Sequence, residues 1–460
     1  MAKVIKPRLA KGTRDFSPTE MALRRHIFGV IEKYFKRFGF DQIETPAVEN
    51  LETLTGKYGE EGDRLIFKIL NSGDYLDGVD STLLQNRESN ALIPQLCEKA
   101  LRYDLTVPFA RYVVQHRNDI SFPFRRYQIQ PVWRADRPQK GRYREFYQCD
   151  ADVIGSNSLL LEAEFIQLIT LVFRELNINY TIKLNSRKIL FGFCEALGIE
   201  SKFTAFTTIL DKLDKKPWQA LKTEFLEAGF SDDQTKAFES INDLNGLELS
   251  KTGFENLKAA IKLSNIGQQG LAELQEIMSY LSSQTLSNVR LDLTLARGLN
   301  YYTGAIIEVA AKDVDIGSIC GGGRYDDLTG IFGLEEMSGI GISFGIDRIF
   351  DILSASPSAD HGNKSTSVVF INFGNKELDY SLKALDKLRS AGIRAEIYPD
   401  PDKLKKQFKY ADNKGASHVV TAGELEITKS MYTLKDLKTG EQELLNMEGL
   451  INTLGADAYI

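Results

Sequence analysis

The spacing of apolar residues predicts a helix near the start of the chain and a sheet after it. Apolar positions recur at helical intervals over residues 19–39, and Gly39 closes the run, which is typical of an amphipathic helix. From residue 40 to about 154, short strand-like runs alternate with polar loops. This pattern favours an antiparallel sheet over repeated βαβ units. The stretch 71–90 is the segment that we expect to form a mobile loop.

Later patterning predicts an α+β fold that is interrupted by a helical insertion. Strand-like sequence returns after the insertion. A stretch that contains Ser, Pro and Gly follows, and beyond it predicted α and β elements alternate. The predicted parts are a catalytic core in two pieces, 1–198 and 289–353, a helical insertion at 199–288, a linker at 354–367 and an α/β domain at 368–460.

Composition and charge exclude a small binding module and a globally basic surface. The chain has 460 residues, of which 43% are hydrophobic and 26% charged, so two or three folded domains are expected. The net charge of -6 means that any contact with a polyanion requires a local basic patch.

Cysteine usage and the termini predict a cytoplasmic protein with reduced thiols. The four cysteines form no CxxC pair, which argues against both a structural zinc site and a disulfide framework. No signal-peptide pattern and no run of eighteen apolar residues occurs, so neither secretion nor a membrane span is expected.

The strongest local feature is a basic cluster at 125–144, where seven Arg and Lys residues face one acid, Asp136. Arginine suits phosphate because its planar guanidinium group donates paired hydrogen bonds and stays charged. Arg134 ends one strand-like run and Arg144 begins the next, so a hairpin is expected to bring them together. A solvated charged hairpin is an equally good interpretation of this feature alone.

Weaker signals lie beside glycine-rich text. Arg297 precedes Gly298. Arg348 follows the small-residue run 339–345, where a helix is expected to begin. A helix N-terminus and a backbone that a ligand can approach closely are suited to bind a triphosphate. The run lacks the spacing of a dinucleotide fingerprint, and the glycines at 321–323 lack a Walker lysine. Asp104 and Asp152 are candidate ligands for an ammonium group, with a helix cap and an exposed strand end as the alternatives.

Taken in order, these segments resemble the histidyl-tRNA synthetases, a family of class II aminoacyl-tRNA synthetases. The matching text comprises KGTRDFSP (11–18), IETPAVE (43–49), LRYDLTVPFAR (101–111), the run 132–155, LARGLNYYTG (295–304), GGGRYDDL (321–328) and GIGISFGIDR (339–348). The resemblance implies a class II antiparallel sheet with flanking helices, a helical insertion and a C-terminal anticodon-binding domain.

The resemblance also implies residue roles, with ATP and Mg²⁺ as cofactors and no protein metal ligand. For ATP the implied residues are Arg134, Asp136, Arg142, Tyr143 and Arg348. For histidine they are Asp104, Thr106, Gln148, Asp152, Arg297, Tyr301 and Tyr302. Arg134 and Arg297 are the implied catalytic residues. For tRNA they are Arg137, Gln139, Lys140 and Arg144.

The implied reaction has two steps and needs no protein nucleophile. The carboxylate of histidine attacks the α-phosphorus of ATP and releases pyrophosphate, and a ribose hydroxyl of tRNA(His) then accepts the histidyl group. The family resemblance also implies a homodimer. The alternatives are a noncatalytic relative that serves as a regulatory subunit or tRNA sensor, and a synthetase for another amino acid, which should lack the text at 295–304 and 321–328.

Overall fold

The computed structural model describes residues 6–56, 63–139, 141–213, 216–243, 251–296, 302–355 and 367–456. The chain divides into two compact units, residues 1–361 and 362–460. In the first unit the helices are Pro18–Arg37, Leu51–Leu54, Ser81–Asn86, Ser89–Leu96, Thr106–Gln115, Leu160–Glu175, Arg187–Ala196, Phe203–Leu210, Trp218–Glu227, Asp232–Asp243, Lys251–Ala260, Asn265–Ser279, Ser283–Leu286 and Ile346–Ser354, with 3-10 turns at Glu200–Lys202 and Gly330–Phe332.

The strands of the first unit form two sheets. They are β1 (Asp41–Gln42), β2 (Val48–Asn50), β3 (Lys68–Ile69), β4 (Lys99–Leu101), β5 (Phe124–Trp133), β6 (Glu145–Ile154), β7 (Tyr180–Ser186), β8 (Val289–Leu291), β9 (Ala305–Ala311), β10 (Cys320–Tyr325) and β11 (Gly339–Gly345). The large sheet has the order β1-β5-β6-β11-β10-β9-β7-β8, and the small one has the order β2-β4-β3.

The large sheet is antiparallel in its middle and parallel at both edges. Strands β5, β6, β11, β10, β9 and β7 pair antiparallel in that order. The edge strands β1 and β8 run parallel to their neighbours β5 and β7. The α+β class is therefore confirmed, and the sheet is mixed rather than purely antiparallel.

The first helix shows why the chain folds locally as its pattern predicts. Ser17 and Glu20 form a reciprocal capping box, and Pro18 occupies the first turn, so the helix starts at Pro18. Gly39 has φ +77° and follows the helix end. The buried stripe of this helix packs in one hydrophobic cluster with the face of the sheet that carries Tyr127, Ala151 and Phe344.

Several short apolar runs do not form the strands that their composition favours. Residues 43–46 are irregular, only Lys68–Ile69 of the run 64–70 is a strand, and β8 stops at Leu291. The expected loop at 71–90 contains the helix Ser81–Asn86, which Asp80 caps by accepting hydrogen bonds from the backbone of Thr82 and Leu83.

The helical residues of the expected insertion share the core of the first unit. Phe206, Phe225 and Phe238 belong to the same hydrophobic cluster as the sheet. Helices Arg187–Ala196 and Asn265–Ser279 meet at glycines, since a Cβ added to Gly192 would lie 2.6 Å from Gly267 Cα. The insertion boundaries at 199 and 288 stay a prediction.

The second unit is an α/β sheet with its own core. Its strands are β12 (Ser367–Phe370), β13 (Arg394–Ile397), β14 (His418–Thr421), β15 (Tyr432–Asp436) and β16 (Gln442–Leu445), in the order β13-β12-β14-β15-β16. The helices are Asn375–Ser390, Leu404–Asn413, Glu424–Lys429 and Met447–Ala456. Strands β13, β12 and β14 are parallel, and β15 and β16 continue the sheet antiparallel.

Candidate active site

The β5–β6 hairpin brings the predicted arginines to one end of the large sheet. The backbone N–H of Arg134 donates to the carbonyl of Arg144 over 2.8 Å, so the two residues are neighbours, as the sequence predicts. Gln139 and Arg142 pair through both backbone hydrogen bonds, and Gly141 takes φ +70° in the turn. A left-handed conformation at this position favours glycine.

A cavity of about 340 Å³ opens beside this hairpin. We call it the arginine cavity. It is bounded by β6, β10, β11 and the start of the helix Ile346–Ser354. Six predicted site residues line it together, namely Arg134, Asp136, Arg142, Tyr143, Gln148 and Arg348.

Backbone carbonyls orient two of its guanidinium groups. Arg134 Nε donates to Tyr103 O over 2.8 Å. Arg348 donates from Nε to Gly141 O over 3.0 Å and from Nη1 to Ser318 O over 2.5 Å. Carbonyl oxygens fix the direction of a guanidinium group without cancelling its charge, so both groups are suited to bind an anion.

Arg142 is held differently, by a carboxylate. Its Nε and Nη2 atoms each donate over 2.8 Å to the two oxygens of Asp136. The Arg142 side chain is 47% exposed and Asp136 only 12%. Asp136 therefore acts on the cavity through Arg142, since both of its oxygens already accept hydrogen bonds.

A network centred on Arg14 joins the N-terminal segment to the cavity wall. Arg14 Nη1 donates to Tyr143 OH over 2.8 Å and to Asp351 Oδ1 over 3.0 Å. Arg14 Nη2 lies 2.5 Å from Asp347 Oδ1, and its guanidinium carbon lies 3.6 Å from the centroid of the Tyr143 ring. Buried Arg24 binds the same Asp347 oxygen over 2.7 Å. Burial raises the pKa of Tyr143, so its hydroxyl stays protonated.

Alternation along β5 and β6 makes one side of the sheet polar. Three cross-strand pairs face the same side: Arg126 with Asp152, Gln128 with Asp150, and Gln130 with Gln148. We call this surface the polar face. The intervening residues Tyr127, Cys149 and Ala151 belong to the hydrophobic cluster on the other side.

Glycines keep the polar face open on the neighbouring strands. Gly341 and Gly345 of β11 pair with Asp152 and Gln148, and Gly323 of β10 pairs with Gly341. A Cβ added to Gly341 would lie 2.0 Å from Asp152 Oδ1. A side chain at Gly341 would therefore displace Asp152, whereas one at Gly323 would meet the carbonyl of Ala305 at 2.6 Å and the ring of Tyr302 at 3.0 Å.

Asp152 on the polar face is buried and has a cation and a hydroxyl group as partners. Asp152 Oδ2 lies 2.8 Å from Arg126 Nη2, and Asp152 Oδ1 accepts from Tyr325 OH over 2.8 Å. Burial raises the pKa of Asp152, although Arg126 and the Tyr325 hydrogen bond lower it. Buried Asp104 caps the helix Thr106–Gln115 by accepting from Val107 N over 3.3 Å.

The other predicted residues lie outside the lining of the arginine cavity or outside the described part of the chain. Thr106 begins its helix and half-buried Tyr302 packs beside Tyr325. Arg137 and Gln139 are exposed on the hairpin turn, whereas Arg144 Nε donates to Asp136 O over 3.0 Å. Arg297, Tyr301 and Lys140 lie outside the described residues.

Sequence reasoning assigned no role to several residues that the fold brings to the site. Phe146 and Asp347 line the arginine cavity. Arg126, which belongs to the predicted basic cluster, lies on the polar face with Asp150 and Tyr325. Alternation within the strand text QCDAD places Asp150 on the same side as Gln148 and Asp152, so that signal was available. For residues that reach the site by pairing of strands distant in sequence, the sequence contains no such signal.

Comparisons with known proteins point to one family. The sequence model described as Histidyl-tRNA synthetase matches residues 96–349, and the one described as Anticodon binding domain matches residues 367–456. A histidine–tRNA ligase from Christiangramia forsetii is 56% identical over 98% of this chain and 99% of its own length. One from Phocaeicola vulgatus is 53% identical, again over 98% of this chain and 99% of its own length.

Solved structures agree with this result. The crystal structure of histidyl-tRNA synthetase from Nostoc sp. PCC 7120 superposes with a TM-score of 0.80 at 31% identity and covers 98% of this chain and 100% of that one. The fold also matches a Bacillus halodurans protein described as an ATP phosphoribosyltransferase regulatory subunit/histidyl-tRNA synthetase, with a TM-score of 0.73 at 21% identity over 91% of this chain and 99% of that one.

Proposed function

The chain belongs to the histidyl-tRNA synthetase family and is an ATP-dependent histidine–tRNA ligase, and we propose that the arginine cavity binds the triphosphate of ATP while the polar face binds histidine. The high identity to ligases over nearly the whole chain favours this activity over a noncatalytic regulatory or tRNA-sensing role. The single observation that carries the site proposal is the position of Arg134, Arg142 and Arg348 on one cavity.

For ATP, Arg134 binds the α-phosphate, and Arg142 and Arg348 bind the β- and γ-phosphates. The carbonyl contacts of Arg134 and Arg348 support these roles, because they orient the guanidinium groups and leave their charge for the ligand. Asp136 holds Arg142, and Tyr143 closes one wall. Phe146 offers an aromatic ring for stacking with adenine.

For histidine, the proposed contacts are Asp104, Thr106, Gln148, Asp152, Arg297, Tyr301 and Tyr302. Gln148 supports this placement, because it lines the arginine cavity and also belongs to the polar face, so one residue connects the two ligands. Its Oε1 atom is buried without a hydrogen-bond partner among the described residues, which suits a ligand N–H.

This arrangement accounts for adenylate formation by alignment and electrostatics. The histidine carboxylate oxygen forms a bond to the α-phosphorus while the bond to the bridging oxygen breaks, and pyrophosphate leaves with that electron pair. Negative charge spreads over the phosphoryl oxygens in the transition state. Preoriented guanidinium groups stabilise that charge without reorganising during the step.

Mg²⁺ enters with ATP as part of the substrate. Both Asp136 oxygens accept from Arg142, and Asp347 accepts from Arg14 and Arg24. These carboxylates are therefore poor candidates for protein ligands, and the phosphate oxygens supply the coordination that the ion prefers.

For tRNA(His), the turn that carries Arg137, Gln139 and Lys140 approaches the acceptor end. Exposure of Arg137 and Gln139 supports this role, with Gln139 suited to a base edge and Arg137 to a phosphate. Arg144 anchors the turn through its contact with Asp136 O. The anticodon-binding-type domain carries exposed Lys403, Lys405 and Lys409 on or beside one helix, a patch suited to the anticodon stem.

Family membership supports a proposal for the oligomeric state and for the compartment. We propose a homodimer in which the segment 43–49 and its neighbouring helix meet a second copy. A cytoplasmic location is supported by four buried cysteines, all free. Among the described residues, no helix has the length and hydrophobicity that a membrane span requires.

Histidine-dependent ATP–pyrophosphate exchange tests the proposal. Exchange should require histidine and fail with other amino acids, and the Arg348→Ala and Arg134→Ala variants should each lose about a hundredfold or more in kcat/KM, since a preoriented donor of this kind contributes about 3 kcal/mol. A noncatalytic protein would bind histidine without exchange. Normal exchange in both variants would move the ATP site elsewhere.

A further inference from the structure

Asp150 lies in the middle of the polar face and takes no part in the roles assigned so far. It is 3% exposed and sits between Gln148 and Asp152 on β6, with Gln128 and Ser343 as its cross-strand neighbours. Its Oδ1 atom is buried and has no hydrogen-bond partner within the described part of the chain. The Oε1 atom of Gln148 is likewise buried without a hydrogen-bond partner among the described residues. Two adjacent side chains thus present acceptors that require a donor.

The charged groups around Asp150 favour the binding of a cation beside it. Arg126 and Asp152 act on it electrostatically in opposite directions, the Ser343 side chain forms a hydrogen bond with the carboxylate, and Asp104 adds a further negative charge. Arg126 is already within 2.8 Å of Asp152 Oδ2. Burial raises the pKa of Asp150 to about 7, with Arg126 acting in the opposite direction. A buried carboxylate in this setting is stabilised most by a ligand that brings a positive charge and an N–H group.

We propose that Asp150 is a histidine-binding residue whose Oδ1 accepts a hydrogen bond from the α-ammonium group of the amino acid, together with Gln148 Oε1. This rests on the proposed position of histidine on the polar face. The ammonium group fits better than the imidazole ring because it carries a full charge and three donors, which serve two neighbouring acceptors at once.

A purely structural role makes the opposite prediction for stability. A buried acid that keeps the fold together loses stability when it is neutralised. An acid retained for a ligand destabilises the free protein, and its replacement by the neutral isostere stabilises it. Asp150→Asn therefore separates the two roles, because binding and stability should change in opposite directions.

The experiment measures the histidine and ATP KM values of the full-length Asp150→Asn enzyme in pyrophosphate exchange. We expect the histidine KM to rise about ten- to a hundredfold, as for loss of a hydrogen bond to a charged group, with an ATP KM within about threefold of wild type and an unchanged or raised Tm. Asp315→Asn, an exposed acid on the β9–β10 loop, is the matched control. If Asp150→Asn does not fold, Asp150→Ser takes its place.

Two inhibitors identify the group that Asp150 binds. Histidinol keeps the ammonium group, whereas 3-(imidazol-4-yl)propionate lacks it. Asp150→Asn should weaken inhibition by histidinol about tenfold or more and leave the deamino compound within about threefold. Equal weakening of both, or an unchanged histidine KM, overturns the proposal.

Asp152→Asn distinguishes this failure from failure of the proposed site. A raised histidine KM in Asp152→Asn with a normal one in Asp150→Asn rejects Asp150 alone. A normal histidine KM in both variants rejects the polar face as the histidine site, and Asp150 with it.

Discussion

Single residues at this site are positioned by atoms that leave their charge available. The carbonyls of Tyr103, Gly141 and Ser318 orient Arg134 and Arg348, so both guanidinium groups are fixed before a ligand arrives. Electrostatic catalysis depends on such preorganisation, because dipoles that need no rearrangement act at full strength in the transition state. Asp150 is a different case, because burial raises its pKa to about 7.

Asp150 gives the stability of the free protein a specific pH dependence. Its folded-state pKa is raised from 3.8 to about 7, so its contribution to stability is fully present below about pH 4 and is lost as pH rises through about 7. Asp150→Asn removes this titration. The variant should gain about 1–3 kcal/mol in unfolding free energy relative to wild type at pH 8, and clearly less at pH 5. Urea unfolding at both pH values measures the difference, and an equal effect at the two would contradict the assignment.

Arg297 is predicted to act in the chemical step, although it lies outside the described residues. Arg297→Ala should slow single-turnover adenylate formation about a hundredfold or more and change histidine binding far less, because the charge that it stabilises develops in the transition state. An unchanged single-turnover rate would refute the role. Arg290→Ala, an exposed arginine on β8, serves as its control.

Residue-level prediction succeeded where the signal was local. The basic cluster led to Arg134 and Arg142, and the family resemblance led to Tyr143; the structure brings all three to one cavity with Arg348. Arg14 could not be found in this way, since its contacts with Tyr143 and Asp351 span 129 and 337 residues. The roles of the remaining predicted residues stay predictions.

At the scale of elements, the N-terminal segment connects two elements that border the arginine cavity. Arg14 connects Tyr143 beside β6 to Asp347 and Asp351 on the helix Ile346–Ser354. That helix also carries Arg348. We therefore expect the relative position of the arginines proposed to bind phosphate to depend on Arg14, which lies outside the cavity lining.

Arg14→Gln should loosen this connection and raise the ATP KM about tenfold, as for loss of a charged hydrogen bond of about 1.5 kcal/mol. The histidine KM should change less than threefold. Steady-state pyrophosphate exchange measures both constants. Arg25→Gln, an exposed arginine on the helix Pro18–Arg37, is the matched control. Equal rises in both constants would indicate a general loss of structure instead.

Long amphipathic helices were predictable, and short strands were not. The stripe over 19–39 corresponds to the helix Pro18–Arg37, because a helix satisfies its own backbone and its period is visible locally. Residues 43–46 and 64–70 have strand-like composition, but pairing partners decide whether a strand forms. The parallel edges β1 and β8 had no local signal for the same reason.

At the scale of the whole molecule, we propose separate roles for the two units, with amino acid activation in the first and tRNA binding in the second. The first unit contains the arginine cavity and the polar face, and the second has a separate hydrophobic core. In the second unit Lys406 and Lys414 form ion pairs with Asp402 and Glu396. Lys403, Lys405 and Lys409 are exposed, and these three define the basic patch that we expect to contact tRNA.

Replacement of these three lysines by glutamine should weaken tRNA(His) binding about tenfold or more at low salt and lower its salt dependence, because fewer counterions are released from the tRNA. ATP–pyrophosphate exchange should stay within about twofold of wild type. Filter binding across a salt series and an exchange assay measure the two effects. Lys383→Gln with Lys387→Gln, on the exposed side of the helix Asn375–Ser390, is the control. Equal losses in both assays would contradict the division of labour.

The most direct test of the account is a crystal structure of the protein with ATP, Mg²⁺ and histidinol, which lacks the reacting carboxylate. We expect the triphosphate in contact with Arg134, Arg142 and Arg348, and the histidinol ammonium group at Asp150 and Gln148. A triphosphate bound away from these arginines would contradict it.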